Sequence, residues 1–298
     1  MGNEIIKVAV IGLDSSHSVE FPKRMQAPDC PADQRVGGMK AVSCMSFETP
    51  FQDKAGLEKR RRQLEAWGVR VSESFEETVE DCDAVMIIVN DPSLHLEYFK
   101  KCAGLGKMIF MDKPLADTAG NAALIRKIAS EKKLSVMSCS SLRYLEALER
   151  AVAELPDPSH GSFFGPIGKA PAGSSIVWYA VHACEMMQRA FGEGAAAVTT
   201  TRHPLGPILT VDYDNGRRGI VELVEGAYCY GGTLRRGGRS AAFAEDGATG
   251  YTRLLRHVEK FFRTGATDAT IDVASEVTAV LDAAERSFQS GRKETVTV

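Results

Sequence analysis

The chain has 298 residues, 44% of them hydrophobic and 25% charged, with a formal net charge of −3 at pH 7. That is the make-up of a globular protein with ample material for a core, and the slightly acidic balance argues against a nucleic-acid partner, which calls for a basic surface. Seven scattered cysteines form no C-x-x-C pair and several sit in apolar runs, so neither a disulfide framework nor a zinc site is expected, and a reducing compartment fits.

Residues 1–7 lead into a strand without the apolar core of a signal peptide. No apolar run approaches the ~20 residues that span a bilayer. The expectation is a cytoplasmic protein with no membrane partner.

Ile5 to Ile11 is an apolar, β-branched run ending at Gly12, the pattern of a buried parallel strand. A helix is predicted from Ser16 to Met25, a loop over the Pro- and Gly-bearing stretch 27–38, and a strand from Lys40 to Phe47. There follow a charged helix (Leu57 to Trp67), a short strand (Val69 to Val71), a strong strand (Ala84 to Val89) and an amphipathic helix (Ser93 to Leu105). Met108 to Met111 reads as strand, Ala119 to Glu131 as helix and Leu134 to Met137 as strand. Strands separated by helices imply βαβ units and a parallel sheet. Such sheets bind ligands at the carboxyl ends of their strands. Attention therefore falls on residues 12–17, 46–48, 90–95 and 112–114.

The second half changes pattern. After a helix from Tyr144 to Leu155, the stretch Pro156 to Ser174 carries four glycines and several prolines and reads as a mobile crossing loop. A helix from Ile176 to Phe191 stops at Gly192. Strand-like runs follow at 196–202, 207–213, 219–224, 228–235 and 241–244, with Asp214-Asn215-Gly216 as a hairpin turn. Two helices (Thr252 to Phe262, Val273 to Ser290) and a short strand (Thr295 to Val298) close the chain. The predicted fold is α/β: a Rossmann-type doubly wound parallel sheet over residues 1–140, then an α+β domain with an open, mainly antiparallel sheet over 141–298. The open face of that second sheet is the expected surface for a homo-oligomer.

Four motifs carry a resemblance: V-A-V-I-G at 8–12, I-I-V-N-D-P-S-L-H at 87–95, G-K-M-I-F-M-D-K-P-L-A at 106–116, and V-H-A-C-E-M-M at 181–187. In order and spacing the chain resembles the glucose–fructose oxidoreductase / inositol dehydrogenase (Gfo/Idh/MocA) family of nicotinamide-dependent enzymes. The resemblance implies oxidation or reduction of a carbinol carbon on a sugar, polyol or related small molecule. It also implies that Lys113 orients substrate and assists proton transfer, and that His182 is the acid–base group. By the same resemblance Asn90, Pro92, His95 and Asp112 flank the cofactor; by helix spacing, Trp178 and Glu185 at i−4 and i+3 fall on roughly the face of His182, on the substrate side.

Read from the residues alone, Lys113 at a strand end is either an ammonium poised to stabilise an alkoxide or a surface lysine beside a turn proline. His182 is either an active-site imidazole or a structural one. Its i+3 spacing to Glu185 suits a metal, but no third ligand is evident. His95 serves equally well as a helix-start residue with no chemistry.

Three departures from the family stand out. The glycine fingerprint reads Gly12-Leu13-Asp14-Ser15-Ser16-His17, with Asp14 and His17 at the second and third glycine positions. Asp14 is expected to cap the following helix and so to occupy the donors that hold phosphate. Ser15, Ser16 and His17 would serve an anion only if Asp14 turns away. The acidic residue after the second strand is also displaced: Ser46 holds its place and Glu48 follows, and with no arginine next to that strand NAD is favoured over NADP. Finally, Trp178 stands where many members have an aspartate. Two readings therefore remain open. One is an NAD(P)-dependent oxidoreductase; the other is a non-catalytic ligand-binding or regulatory protein with the same fold and a degenerate cofactor site.

Overall fold

The apolar runs become strands whose side chains are closed off on both faces: Val8, Ala9, Val10 and Ile11 of the first strand, and Val85, Met86 and Ile87 of the fourth, are fully buried. The computed structural model describes residues 4–245, 247 and 249–298. In chain order it contains β1 (Ile6–Ile11), α1 (His17–Gln26), β2 (Met39–Met45), α2 (Lys54–Ala66), β3 (Arg70–Ser72), α3 (Phe75–Val79) and β4 (Ala84–Ile87). Next come α4 (His95–Cys102), β5 (Met108–Met111), α5 (Ala119–Glu131), β6 (Val136–Ser138), α6 (Glu146–Glu154), β7 (His160–Ile167) and α7 (Ser175–Phe191). The chain continues through β8 (Ala195–Thr201), β9 (Ile208–Tyr213), β10 (Arg218–Glu225), β11 (Gly231–Arg236) and β12 (Arg239–Ala244), then α8 (Gly250–Thr264), α9 (Ile271–Ser290) and β13 (Glu294–Thr295).

Two compact units result. The first takes the chain up to Asp112, together with Leu124–Ser138 and Tyr251–Ile271; the second takes Lys113–Ala123, Cys139–Gly250 and Asp272–Val298. The chain passes from one unit to the other at several places, the Ser138/Cys139 step among them.

The first unit is a six-stranded parallel sheet in the order β3-β2-β1-β4-β5-β6. The order reverses between β1 and β4, which sets the loops after those two strands side by side at the usual ligand crevice of such sheets. α8 joins this unit from far down the sequence. Its Leu254, Leu255, Val258, Phe261 and Phe262 are buried at helical spacing, and beyond it Thr270 bridges to Met137 of β6. α3, which the sequence reading did not include, is a single short helix capped by the hydroxyl of Ser74.

The second unit is a seven-stranded sheet in the order β12-β11-β7-β10-β9-β8-β13, antiparallel except where β7 and β10 run parallel. One face is covered by α7 and α9, whose Val181, Met186 and Leu281 share a core with Phe163, Val211 and Leu223 of the strands. The other face leaves Glu222 exposed and Ile220 and Val224 half-buried.

One expectation is corrected here. Residues 160–167 are not a loop but a central strand, β7, between β10 and β11. Its glycines are there because neighbours come too close for a side chain: a Cβ on Gly161 would lie 2.9 Å from the carbonyl oxygen of Thr233. Gly and Pro, read as loop punctuation, here mark tight packing. Among the described residues no helix is long and apolar enough to cross a membrane.

Phe163 is fully buried at the middle of β7. Phe163→Ala is expected to cost about 3–5 kcal/mol of stability, read from denaturant unfolding. A loop residue in that place would cost almost nothing.

Candidate functional site

In the first unit, Gly12 ends β1 with φ +103°, and a Cβ there would lie 2.9 Å from the Cα and N of Val89. Glycine is therefore required by the approach of the loop after β4, whatever binds nearby.

Asp14 does not cap α1, contrary to expectation. It is buried, its Oδ2 accepts the Thr49 hydroxyl at 2.7 Å, and its Oδ1 accepts the Asn90 amide at 3.0 Å. Burial pushes its carboxyl above the ordinary range, opposed by those two hydrogen bonds. The cap position belongs to Ser16, which makes no side-chain cap bond and is exposed to solvent. Ser15 turns inward, its Oγ accepting the His17 amide at 3.1 Å. Asp14 thus stays off the start of α1, where the His17 amide is taken by Ser15 Oγ and the Ser18 amide by the Ser15 carbonyl at 3.3 Å.

His17, at the third fingerprint position, is buried. Its Nδ1 lies 2.6 Å from Asp112 Oδ2 and its Nε2 3.2 Å from the Tyr251 hydroxyl. The ring stacks on Phe21 at 4.9 Å, and the Arg24 guanidinium sits 5.1 Å from the Tyr251 ring centroid. Both ring nitrogens of His17 are thus engaged by protein. Its role is to join the first turn of α1 to the ends of β5 and α8, and it is not a phosphate donor.

His95 is likewise a fastener. It is fully buried and its Nε2 donates to the Val89 carbonyl at 2.7 Å. Pro92 opens a short 3-10 turn that Asp91 caps by accepting the Ser93 amide at 3.0 Å.

Beyond β2, Ser46 is buried with its amide donated to the Ser72 carbonyl at 2.8 Å. Glu48 is exposed and pairs with Lys54 at 3.0 Å. Both border a cleft of about 490 Å³ lined also by Leu57, Glu58, Arg61 and Glu73. Arg61 reaches it from α2, so an arginine is present although none follows the strand in sequence.

In the second unit, Lys113, joined to Pro114 by a cis peptide, places its ammonium 5.3 Å from the ring centroid of Trp178. Trp178 and His182 are i and i+4 on α7 and share one face. The His182 Nδ1 lies 2.7 Å from Ser140 Oγ, and its ring meets that of Tyr230 edge-on at 5.2 Å. Ser174 fixes the start of the helix by accepting the Val177 amide at 3.1 Å.

Glu185 points elsewhere than His182. It is buried opposite Arg143, with 3.4 Å between Oε2 and Nη1, and the same Nη1 donates to Gln188 Oε1 at 2.6 Å. Its environment is that of a structural ion pair, not of a group meeting substrate.

Sequence reasoning brought out Lys113, Trp178 and His182 but missed Thr49, Arg61, Ser140, Tyr230 and Tyr251. Ser140 carried a faint signal, standing just past a strand end. Tyr230 and Tyr251 carried none, because only tertiary folding brings them to His182 and His17.

Residues 6–139 match the GFO_IDH_MocA family, described as an oxidoreductase family with an NAD-binding Rossmann fold. Over that segment, most of which lies in the first unit, the chain is similar to the Rossmann domain of the Gfo/Idh/MocA oxidoreductases. No curated protein matches the sequence.

Similar solved structures include the myo-inositol dehydrogenase of Lactobacillus casei in complex with NAD(H) and myo-inositol: TM-score 0.79, 15% identity, 99% of this chain and 97% of that one covered. The myo-inositol dehydrogenase of Corynebacterium glutamicum ATCC 13032 has TM-score 0.79 and 15% identity, with 99% of each chain covered. GenD2 from gentamicin A biosynthesis, in complex with NAD, has TM-score 0.78 and 16% identity, with 99% and 97% covered. At such identities the likeness is one of fold.

Two outcomes follow from these environments. Because the Asp14 carboxyl is raised on folding, protonation stabilises the native state. That stability is present below the ordinary carboxylate range and is lost as pH rises through the raised value. The stability of Asp14→Asn relative to wild type should therefore climb as pH rises from the ordinary carboxylate range through the raised value and then level off, as thermal melts across a pH series would show. Glu185→Ala removes the carboxylate that faces the buried Arg143 and should cost about 3–5 kcal/mol in denaturant unfolding, with Glu185→Gln costing less.

Proposed function

We propose that the protein is an NAD-dependent oxidoreductase acting on a carbinol carbon of a polyol, sugar or similar small molecule. The observation that carries this reading is the convergence on one face of α7: the Lys113 ammonium lies against Trp178, and His182 stands one turn further along.

A dinucleotide fits the first unit in two respects. Asp14 faces Thr49 and Asn90, which leaves the exposed Ser16 before α1 to the diphosphate. The cleft after β2 suits a ribose. Its Glu48, Glu58 and Glu73 outnumber Lys54 and Arg61, a balance that accepts a neutral diol and opposes the extra phosphate of NADP. NAD, when bound, supplies the hydride acceptor.

In the oxidation direction the imidazole of His182 would take the hydroxyl proton of the carbinol. The Lys113 ammonium stabilises negative charge developing on the oxygen. Its contact with the indole face stabilises the cation, as a carboxylate one turn before His182 would otherwise do. Trp178 and Tyr230 offer apolar ring faces to the C–H side of a cyclic substrate. The solved relative holding myo-inositol supports a polyol of this kind. Self-association is assigned to the open face of the seven-stranded sheet, beside which Leu205 and Tyr228 are exposed.

A second reading, a ligand-binding protein of the same fold, draws on His17, whose locked ring replaces a fingerprint glycine. Titration of ligand-stripped protein with NADH and NADPH, followed by nicotinamide fluorescence and heat release, separates the two. The proposal expects micromolar NADH binding that is tighter than NADPH binding, and turnover in a polyol screen. Lys113→Ala should then lower kcat by about 10²-fold or more while NADH still binds. Folded protein that binds neither nucleotide, reduced or oxidised, would establish the second reading.

A further inference from the structure

We propose that the second unit carries an anion site, formed by Arg218, His160 and Arg235, that takes the phosphoryl group of a small molecule. The site uses none of the residues assigned to hydride transfer.

The register of the seven-stranded sheet sets the three side chains in one row. His160 opens β7, opposite Arg218 at the start of β10 and Arg235 near the end of β11. Partners in register point to the same face. Their chain neighbours Gly161, Gly219 and Leu234 are buried, Leu234 in the core shared with α7 and α9. The row therefore stands on the open face, with both arginines exposed and His160 half-buried. The two arginines stem from strands about 10 Å apart, with the imidazole between them. Their long side chains can close on one ligand from both sides.

Like charges side by side on neighbouring strands destabilise a sheet. The other arginines at this end are given partners. Arg217 donates to the Phe191 carbonyl at 2.6 Å and pairs with Asp157. Arg236 pairs with Asp157 at 3.3 Å, and Arg239 donates to the Glu154 carbonyl at 2.8 Å. Asp212, next to Arg218 in register on β9, pairs with Lys293 at 2.6 Å. Among the described residues, no carboxylate lies within ion-pair distance of Arg218 or Arg235.

Two guanidinium charges without a counter-ion call for a dianion, and a phosphoryl group supplies one. Each guanidinium fork matches a pair of its oxygens. Between them the His160 ring is steadied by Ser159, with 3.1 Å from Nδ1 to Oγ. A cavity of about 580 Å³ opens beside the row, with His160, Arg218, Ser159 and Asp212 on its wall. It has room for the body of a phosphorylated small molecule, and Ser159 and Asp212 suit its hydroxyl groups. Tyr230, which meets His182, precedes the other end of β11. Leu205, bonded to Glu225 at the far end of β10, is equally remote. An occupant of the row meets neither the acid–base group nor that surface.

The test is calorimetric titration of the full chain with inorganic phosphate and with glycerophosphate, at constant ionic strength. Both should bind saturably. Tighter binding of the ester assigns the site to a phosphorylated metabolite, and tighter binding of inorganic phosphate assigns it to the free ion. Arg218→Gln and Arg235→Gln should each weaken binding about tenfold or more, and the double variant should abolish it. Arg239→Gln, which removes a charge outside the row, should leave it unchanged. Thermal melts give a second reading. Without phosphate Arg218→Gln should melt above wild type, because repulsion along the row is relieved, and in phosphate the order should reverse.

Failure of both anions to bind overturns the proposal. So does binding that persists in the double variant, which would place the anion elsewhere on the chain. Equal weakening by Arg239→Gln also overturns it, by showing a diffuse positive field in place of a site.

Discussion

Asp14 gives up its water to hold together the carboxyl ends of three strands. Its backbone continues β1, its Oδ2 takes the hydroxyl of Thr49 beyond β2, and its Oδ1 takes the amide of Asn90 beyond β4. The desolvation cost is offset by both hydrogen bonds and by the partly buried Arg60, which donates to the Leu13 carbonyl at 2.9 Å and lies close enough to interact with the carboxylate. Everything proposed for the nucleotide crevice depends on this inward turn. A carboxylate capping α1 would place negative charge where a diphosphate must come. The same residue type at the same position thus either blocks the crevice or braces it, according to which donors reach it first.

The rest of this loop follows the same logic. Where a dinucleotide fingerprint relies on glycines and bare backbone, this chain uses side chains bonded to one another. Gly12 alone is retained, and the reason is the backbone of Val89. His17 exchanges the freedom of a glycine for a fixed position between Asp112 and Tyr251. In the second unit Trp178 makes a comparable exchange, giving the Lys113 ammonium a π face. In each place an interaction that is ionic or peptide-based by pattern becomes one made by a neutral or aromatic group.

How much of this was legible in the sequence depends on the range of the forces involved. β1, β4 and β5 were plain because a strand buried on both faces must be apolar throughout, and α7 was plain because Gly192 supplies the positive φ that stops it. β7 was hidden because its glycines and prolines answer to neighbours that lie far away in sequence. Lys113 and His182 stood out through their motifs. Their surroundings did not, since Ser140, Tyr230 and Glu185's partner Arg143 come from separate segments. The cap role given to Asp14 from local propensity failed for the same reason: an N-cap bond is worth about 1 kcal/mol, and two tertiary donors outbid it.

The Tyr251–Ile271 segment belongs to the first unit although β7 to β12 of the second unit's sheet lie before it in the chain. A ribosome releases residues in order, so the parallel sheet is made well before the helix that supplies the Tyr251 hydroxyl and before Ala269, whose carbonyl accepts the Ser138 amide. Until then the surface around His17 and Phe21 must wait uncovered, and the closing contacts carry a large loop-closure cost. The nucleotide-binding unit is therefore not a module that finishes early and then tows its neighbour. Its completion is deferred until most of the second unit has also been synthesised, and premature termination anywhere in that interval would leave an adhesive half-structure for chaperones to handle.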